Sequence, residues 1–212
     1  MSIFIEGLTF AYKGSDRKIF SDFFAEFSSD KITAITGKNG VGKTTLANLI
    51  VGRLKPTNGR IFIDDTNITS LSLAERGKKI GYVMQNPERQ IFTATVEEEL
   101  RYGLVNLGLS KDEIQNRTNE YLELFRINHV RERFPFLLSQ GEKQRLVLAA
   151  VLAMEPAYLI LDEPTLGLDY KSKIRLGEYL KQAECGVIMI SHDDLFVDTY
   201  CNDVILLEEN YE

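Results

Sequence analysis

Apolar and polar residues alternate in short runs at the start of the chain, with Ile3, Ile5, Leu8, Phe10 and Tyr12 followed by the run KITAITG. A period near two predicts strands, and Gly37 predicts the turn that ends them. KTTLANLIVGRL then carries helical apolar spacing, KPTNG stops it with proline and glycine, and RIFID returns to strand. The expected order is strand, loop, helix, turn, strand.

Further along the texture changes. TATVEEELRYGLVNLGLSKDEIQNRTNEYLELFRINHVRERF is charged, amphipathic and nearly free of strand pattern, which predicts a helical lobe. Capping boxes mark helix starts at Thr95 with Glu98 and at Ser110 with Glu113. A third, Ser139 with Glu142, opens LSQGEKQRLVLAAVLAME, where Leu146, Ala149, Ala150 and Ala153 follow at helical spacing. Beyond it AYLILDEP and GVIMIS are continuous apolar runs flanked by helical segments, the pattern of a parallel sheet covered on both faces. With no internal repeat, low-complexity tract or linker, the pattern predicts an α/β core interrupted by a helical insertion.

Composition narrows this picture a little. A chain of 212 residues with 44% hydrophobic content can bury a sizeable core as one domain with a smaller lobe attached. Its 25 basic and 31 acidic residues give a net charge of -6, which argues against a nucleic acid or an anionic membrane as the main partner. Cys185 and Cys201 lack metal-ligand spacing, so a disulfide scaffold or zinc site is not expected and a reducing cytosol fits. MSIFIEGLTFAYKG has no basic segment before a long apolar one, and no apolar run reaches bilayer length; any membrane role is expected to be peripheral.

The chemistry begins at GKNGVGKT, Gly37 to Thr44, which matches the full P-loop pattern between a strand and a helix. Gly37, Gly40 and Gly42 let the backbone curl around Lys38, Asn39 and Val41, so that successive N–H groups point at phosphate oxygens. The helix beginning near Lys43 adds its positive end. Lys43 supplies a point charge to the β- and γ-phosphates, and the Thr44 hydroxyl suits Mg²⁺. Kinases, GTPases and motor ATPases all use such a loop, so it names no reaction by itself.

YLILDEP sets Asp162 and Glu163 at the carboxyl end of a buried strand, where open α/β sheets bind ligands. Asp162 is expected to hold the Mg²⁺ shell and Glu163 to polarise the attacking water. A second buried strand ends in SHDD, which brings His192 within reach of a γ-phosphate. Gln85, in YVMQNPERQIF, follows a strand and precedes the lobe, where a glutamine coordinates Mg²⁺ or orients water and swings away as the lobe moves. His129 has no such context and is read as a surface residue.

In their order these motifs resemble the ATP-binding cassette (ABC) family over essentially the whole chain: Tyr12 before the loop, GKNGVGKTT ending at Thr45, Gln85, LSQGE, LILDEP, LGLD ending at Asp169, and His192. The resemblance implies a P-loop NTPase with a mostly parallel core sheet, an antiparallel β subdomain and an inserted helical subdomain. It implies one domain over residues 1–212, the core from 1–87 and 139–212, the helical subdomain at about 88–138, and the signature helix from 139. ATP and Mg²⁺ are the implied cofactors, with Tyr12 stacked on adenine. In that family two cassettes pack head to tail, so Ser139 and Gly141 would meet the partner's ATP, making the helix cap also a catalytic half-site. LSQGE differs from the usual Leu-Ser-Gly-Gly-Gln at Gln140 and Glu142; Gln140 must find room at the interface and Glu142 adds negative charge there, and activity is expected to survive.

QNPERQIFTATVEEELRYGL looks like the matching stretch of energy-coupling-factor ATPases, which power uptake of vitamins and of cobalt or nickel in prokaryotes. This implies an Mg-dependent ATPase on the cytoplasmic face of the membrane, with a second cassette, identical or paralogous, and a transmembrane coupling subunit docked around Arg89 to Glu97. Nucleic acid is not an expected partner. Members of that subfamily commonly carry a further C-terminal region that assists dimerisation, whereas this sequence stops at Glu212 soon after its last strand. Rival readings are a cassette ATPase acting on chromosomes or ribosomes, another importer or exporter class, and a regulatory nucleotide binder. The first lacks its long heptad insertion or second cassette, and Glu163 with His192 argues against the last.

Overall fold

The computed structural model describes residues 1–208. Strands β1 (Ser2–Ala11) and β2 (Lys18–Ser28) form an antiparallel hairpin, and β3 (Ile32–Thr36) leads through the glycine loop into helix α1 (Lys43–Val51). Strands β4 (Asn58–Ile63) and β5 (Thr66–Asn67), helix α2 (Leu73–Gly77) and strand β6 (Ile80–Val83) follow, then α3 (Val96–Asn106) and α4 (Lys111–Leu124) of the lobe. Helix α5 (Gln140–Leu152) returns the chain to the core, which β7 (Tyr158–Asp162), α6 (Tyr170–Gln182), β8 (Gly186–Ile190), α7 (Asp194–Tyr200) and β9 (Asp203–Leu206) complete.

These strands build two sheets, an antiparallel one in the order β2-β1-β4-β5 and a parallel one in the order β6-β7-β8-β3-β9. The α/β architecture with a parallel core, an antiparallel sheet and an inserted helical segment is therefore the expected one. In β1 the buried positions change parity, from Ile3 and Ile5 to Leu8 and Phe10, and the pairing with β2 shifts register between Ile5 and Leu8. Gly7, at φ 60, takes up the extra residue, so both halves of the strand face the core.

The central strands are buried on both faces. Leu159, Leu161, Val187 and Met189 pack toward the lobe and helices α5 to α7, while Tyr158, Ile160, Ile188 and Ile190 pack toward α1 and the antiparallel sheet. Between them both faces of the sheet are closed, and only strand ends remain for chemistry. Helix α5 lies between lobe and sheet, so besides the expected Leu146, Ala149 and Ala153 it buries Val147, Leu148, Lys143 and Gln144. Ala150 is only half-buried.

The lobe is helical throughout, with short 3-10 turns at Pro87–Arg89, Asn128–Val130 and Pro135–Leu137. All three expected capping boxes form, and a fourth, Ser72 with Glu75, opens α2. Just beyond, Arg76 is 1% exposed and donates to Leu49 O and Ile50 O at the end of α1 and to Thr69 O. It thereby satisfies carbonyls that a helix end leaves without partners.

Candidate functional site

The four motifs at the carboxyl edge of the parallel sheet come together because their strands are neighbours. β3 delivers the glycine loop, β7 Asp162 and Glu163, β8 His192, and β6 Gln85, around a cleft of about 550 Å³. Two glycines of the loop are required by geometry. Gly37 and Gly42 hold φ 138 and 114, and a Cβ would lie 2.4 Å from Leu207 O at the first and 2.6 Å from Ile19 Cγ2 at the second. α1 starts without a side-chain cap on Gly42, leaving its first N–H groups open toward the loop.

Lys43 is buried, and its ammonium donates to Gly37 O at 2.7 Å and Lys38 O at 3.0 Å, which folds the loop around the charge. Burial pushes its pKa down, while Glu163 and Asp162 hold it up. Asp162 ends β7 at 4% exposure; it accepts from Thr44 Oγ1 at 3.2 Å and from the Tyr82 hydroxyl at 3.3 Å. Burial raises its pKa, and those two bonds with Lys43 oppose the rise. Tyr82 is itself pushed up, by burial and then by Asp162.

Glu163 has left-handed backbone, φ 50, fixed by its N–H bond to Ile190 O at 2.9 Å. The turn aims its carboxylate at β8, where it accepts from His192 N–H at 3.3 Å and lies 3.5 Å from His192 Nε2. Burial raises the Glu163 pKa, and His192 counters it. A half-desolvated carboxylate beside an imidazole, next to a buried ammonium, is an arrangement that can polarise water in front of a phosphate.

Tyr12 stands at the cleft mouth, 46% exposed, with its ring edge-on to Phe10 and its hydroxyl 2.8 Å from Thr45 Oγ1. Asn39 and Gly40 line the same space, as does the exposed Gln85. Two side chains that the sequence motifs do not reveal support the residues of this wall from behind. Tyr82 reaches Asp162, and Gln90 accepts from Met84 N–H at 2.6 Å and donates to Tyr82 O at 2.8 Å, pinning the loop that carries Gln85 to the end of β6.

Ser139, Gly141 and Asp169 are not among the residues lining this cleft. Ser139 is exposed at the start of α5; its hydroxyl accepts from Glu142 N–H at 3.4 Å and donates to the Glu142 carboxylate at 2.6 Å. That bond, ahead of the others, holds Glu142 below the usual carboxylate range. Among the described residues, and apart from its chain neighbours and the nearby backbone of its own helix, no atom lies within 4 Å of where a Cβ on Gly141 would stand. His129 is a surface residue as expected, yet its Nε2 lies 3.3 Å from Glu142. Asp169 caps α6 by accepting from Ser172 N–H at 2.8 Å.

For a hard divalent cation the fit is good. Thr44, Gln85 and Asp162 offer oxygen donors around the buried Lys43, and among the described residues no cluster of three or more His, Cys, Asp or Glu side chains competes. Mg²⁺ needs only one or two protein ligands besides water and phosphate. Cys185 and Cys201 are free, with burial pushing both thiols up to about 11.

A family model described as ABC transporter matches residues 20–166. An ABC transporter ATP-binding protein of Methanosarcina acetivorans is 37% identical over 213 residues, covering 98% of this chain and 34% of that protein. The energy-coupling factor transporter ATP-binding protein EcfA2 of Clostridium tetani is 41% identical over 203 residues, 91% of this chain and 70% of that protein. The chain thus spans about a third of the first relative's length and more of the second's. Among solved structures, cbiO1 of Clostridium perfringens, part of the ABC transporter complex cbiONQ, superposes with TM-score 0.86 at 35% identity, over 97% of this chain and 84% of that one. The ATP-binding cassette MJ0796, a dimer in a post-hydrolysis state with ADP and Pi, gives TM-score 0.85 at 25% identity over 99% and 97%.

Proposed function

The chain belongs to the ABC transporter family, and we propose that it is the ATP-hydrolysing cassette of an energy-coupling-factor type importer of vitamins or transition-metal ions. The observation that carries the hydrolytic part is the Glu163–His192 pair beside Lys43 and Asp162 at the ends of adjacent parallel strands. The loop N–H groups and Lys43 bind the phosphates of ATP, Tyr12 stacks on adenine, and Thr44, Asp162 and Gln85 hold Mg²⁺. When bound, Mg²⁺ neutralises charge on the β- and γ-phosphates. Glu163 orients the attacking water and draws on its proton, while His192 keeps the carboxylate aimed and contacts the γ-phosphate.

Ser139 and Gly141, turned away from their own cleft, serve a second cassette, identical or paralogous, whose ATP lies against the positive end of α5. Asp169 lies at the same interface. ATP between the two halves makes closure nucleotide-dependent. A transmembrane subunit takes up the motion on the segment from Arg89 to Glu97, where the exposed Phe92 packs edge-on against Tyr102 at 4.6 Å. Likeness to transporter ATP-binding subunits supports a peripheral subunit on the cytoplasmic face, and among the described residues no helix is long and apolar enough to cross a membrane. The importer class rests on likeness to EcfA2 and cbiO1.

The test is Mg²⁺-dependent hydrolysis with the partner subunits present. Glu163→Gln should retain ATP and lose roughly 100-fold or more in turnover. Wild-type turnover in that variant rejects the assignment, and recovery from the native membrane without a transmembrane subunit rejects the importer.

A further inference from the structure

Lys143 lies one turn into α5, its side chain 9% exposed, and its ammonium reaches Glu88 Oε1 at 2.5 Å. Glu88 is in the short turn Pro87–Arg89, three residues beyond Gln85, and 55 residues from Lys143 in sequence. That turn is held at its start by Asn86, which accepts from Glu88 N–H at 3.0 Å, and beyond its end by the Gln90 grip on β6. The loop that lines the chain's own cleft at Gln85 is therefore tied by an ion pair to the helix whose first residues, Ser139 and Gly141, do not line it.

We infer that the Lys143–Glu88 ion pair couples the two nucleotide sites of a dimer, transmitting the position of α5 at one ATP to Gln85 at the other. The inference rests on the proposed composite site. Its physical basis is the unequal burial of the two charges: Glu88 is 44% exposed, whereas an unpaired Lys143 would leave an ammonium out of water. A shift of α5 on meeting the partner's ATP must then either drag the Glu88 turn or rehydrate the lysine, and dragging is cheaper over a short displacement. Glu88 and Lys143 are positioning residues here, acting through Gln85 and Ser139; neither lines the cleft.

The experiment compares Lys143→Met, Glu88→Gln and the exchange Glu88→Lys with Lys143→Glu, in the protein with its partner cassette. It reads the Hill coefficient of ATP hydrolysis, the Kd for ATP and the thermal midpoint. The wild type should show a Hill coefficient of about 2, the limit set by two coupled sites. Each single variant should fall to about 1 with a Kd within about twofold of wild type, and the exchange should restore cooperativity. Single variants that keep the wild-type coefficient, even with a lowered thermal midpoint, overturn the inference and make the pair a static brace. An exchange variant as uncooperative as the singles overturns it too. A wild type that hydrolyses without cooperativity refutes the coupling and leaves the ATPase reading standing, whereas a wild type that hydrolyses no ATP refutes both.

Discussion

At the scale of single residues, Asp162 and Glu163 are set against the stability of the fold. Burial raises both pKa values above those of the unfolded chain, so the folded state binds their protons more tightly. Below the unfolded values neither costs anything; as pH rises through the folded values the penalty appears, and it is complete once both are ionised. Asp162→Asn should therefore raise the thermal midpoint in Mg²⁺- and nucleotide-free buffer at about pH 7, with the gain vanishing near about pH 4. A midpoint unchanged or lowered at neutral pH would show that the bonds from Thr44 and Tyr82 outweigh desolvation. Tyr12 poses a different question, since its hydroxyl already bonds Thr45. Stacking predicts that Tyr12→Ala weakens ATP binding about tenfold while Tyr12→Phe stays within about twofold; equal losses would assign the role to the hydroxyl. The residues with a required backbone or a fixed chemistry, Gly37, Gly42, Lys43 and Asp162, were legible in sequence. Tyr82 and Gln90 were not, because each works through a partner that only the fold brings near.

At the scale of elements, the strands and helices follow from periodicity, capping and turn chemistry, and the departures have physical causes. The alternation from Ile3 to Phe10 contains a parity change, and the structure shows it to be a bulge at Gly7. The helical spacing in α5 marked one apolar face, yet the helix is buried on two sides because the lobe and the sheet pack on it together. Arg76 was hidden among surface-like charges in LAERGKK, although it closes the carboxyl end of the helix that follows the phosphate loop. Gly52, at φ 85, leaves it room: a Cβ there would lie 2.8 Å from Arg76 Nε. Arg76→Met should cost about 3 kcal/mol in a denaturant titration, because three carbonyls lose a charged donor at a buried site. A loss below about 0.5 kcal/mol would mean that water replaces the guanidinium without penalty.

At the scale of the whole molecule, the parallel sheet gathers β3, β6, β7 and β8 into one edge, while Ser139 and Gln140 at the start of α5 remain exposed and outside the cleft there. On the proposed function, a cassette built this way has half of two sites. The association that completes them is the central claim, and the mass of Glu163→Gln in solution measures it directly, alone or with the cassette it purifies with. Without nucleotide the 24.1 kDa chain should run as a single cassette; with saturating ATP it should run as a closed pair. Adding Ser139→Arg in both cassettes of the pair should abolish pairing while ATP still binds. Glu163→Gln that remains a single cassette at saturating ATP, or a Ser139→Arg form that pairs as before, would contradict the account.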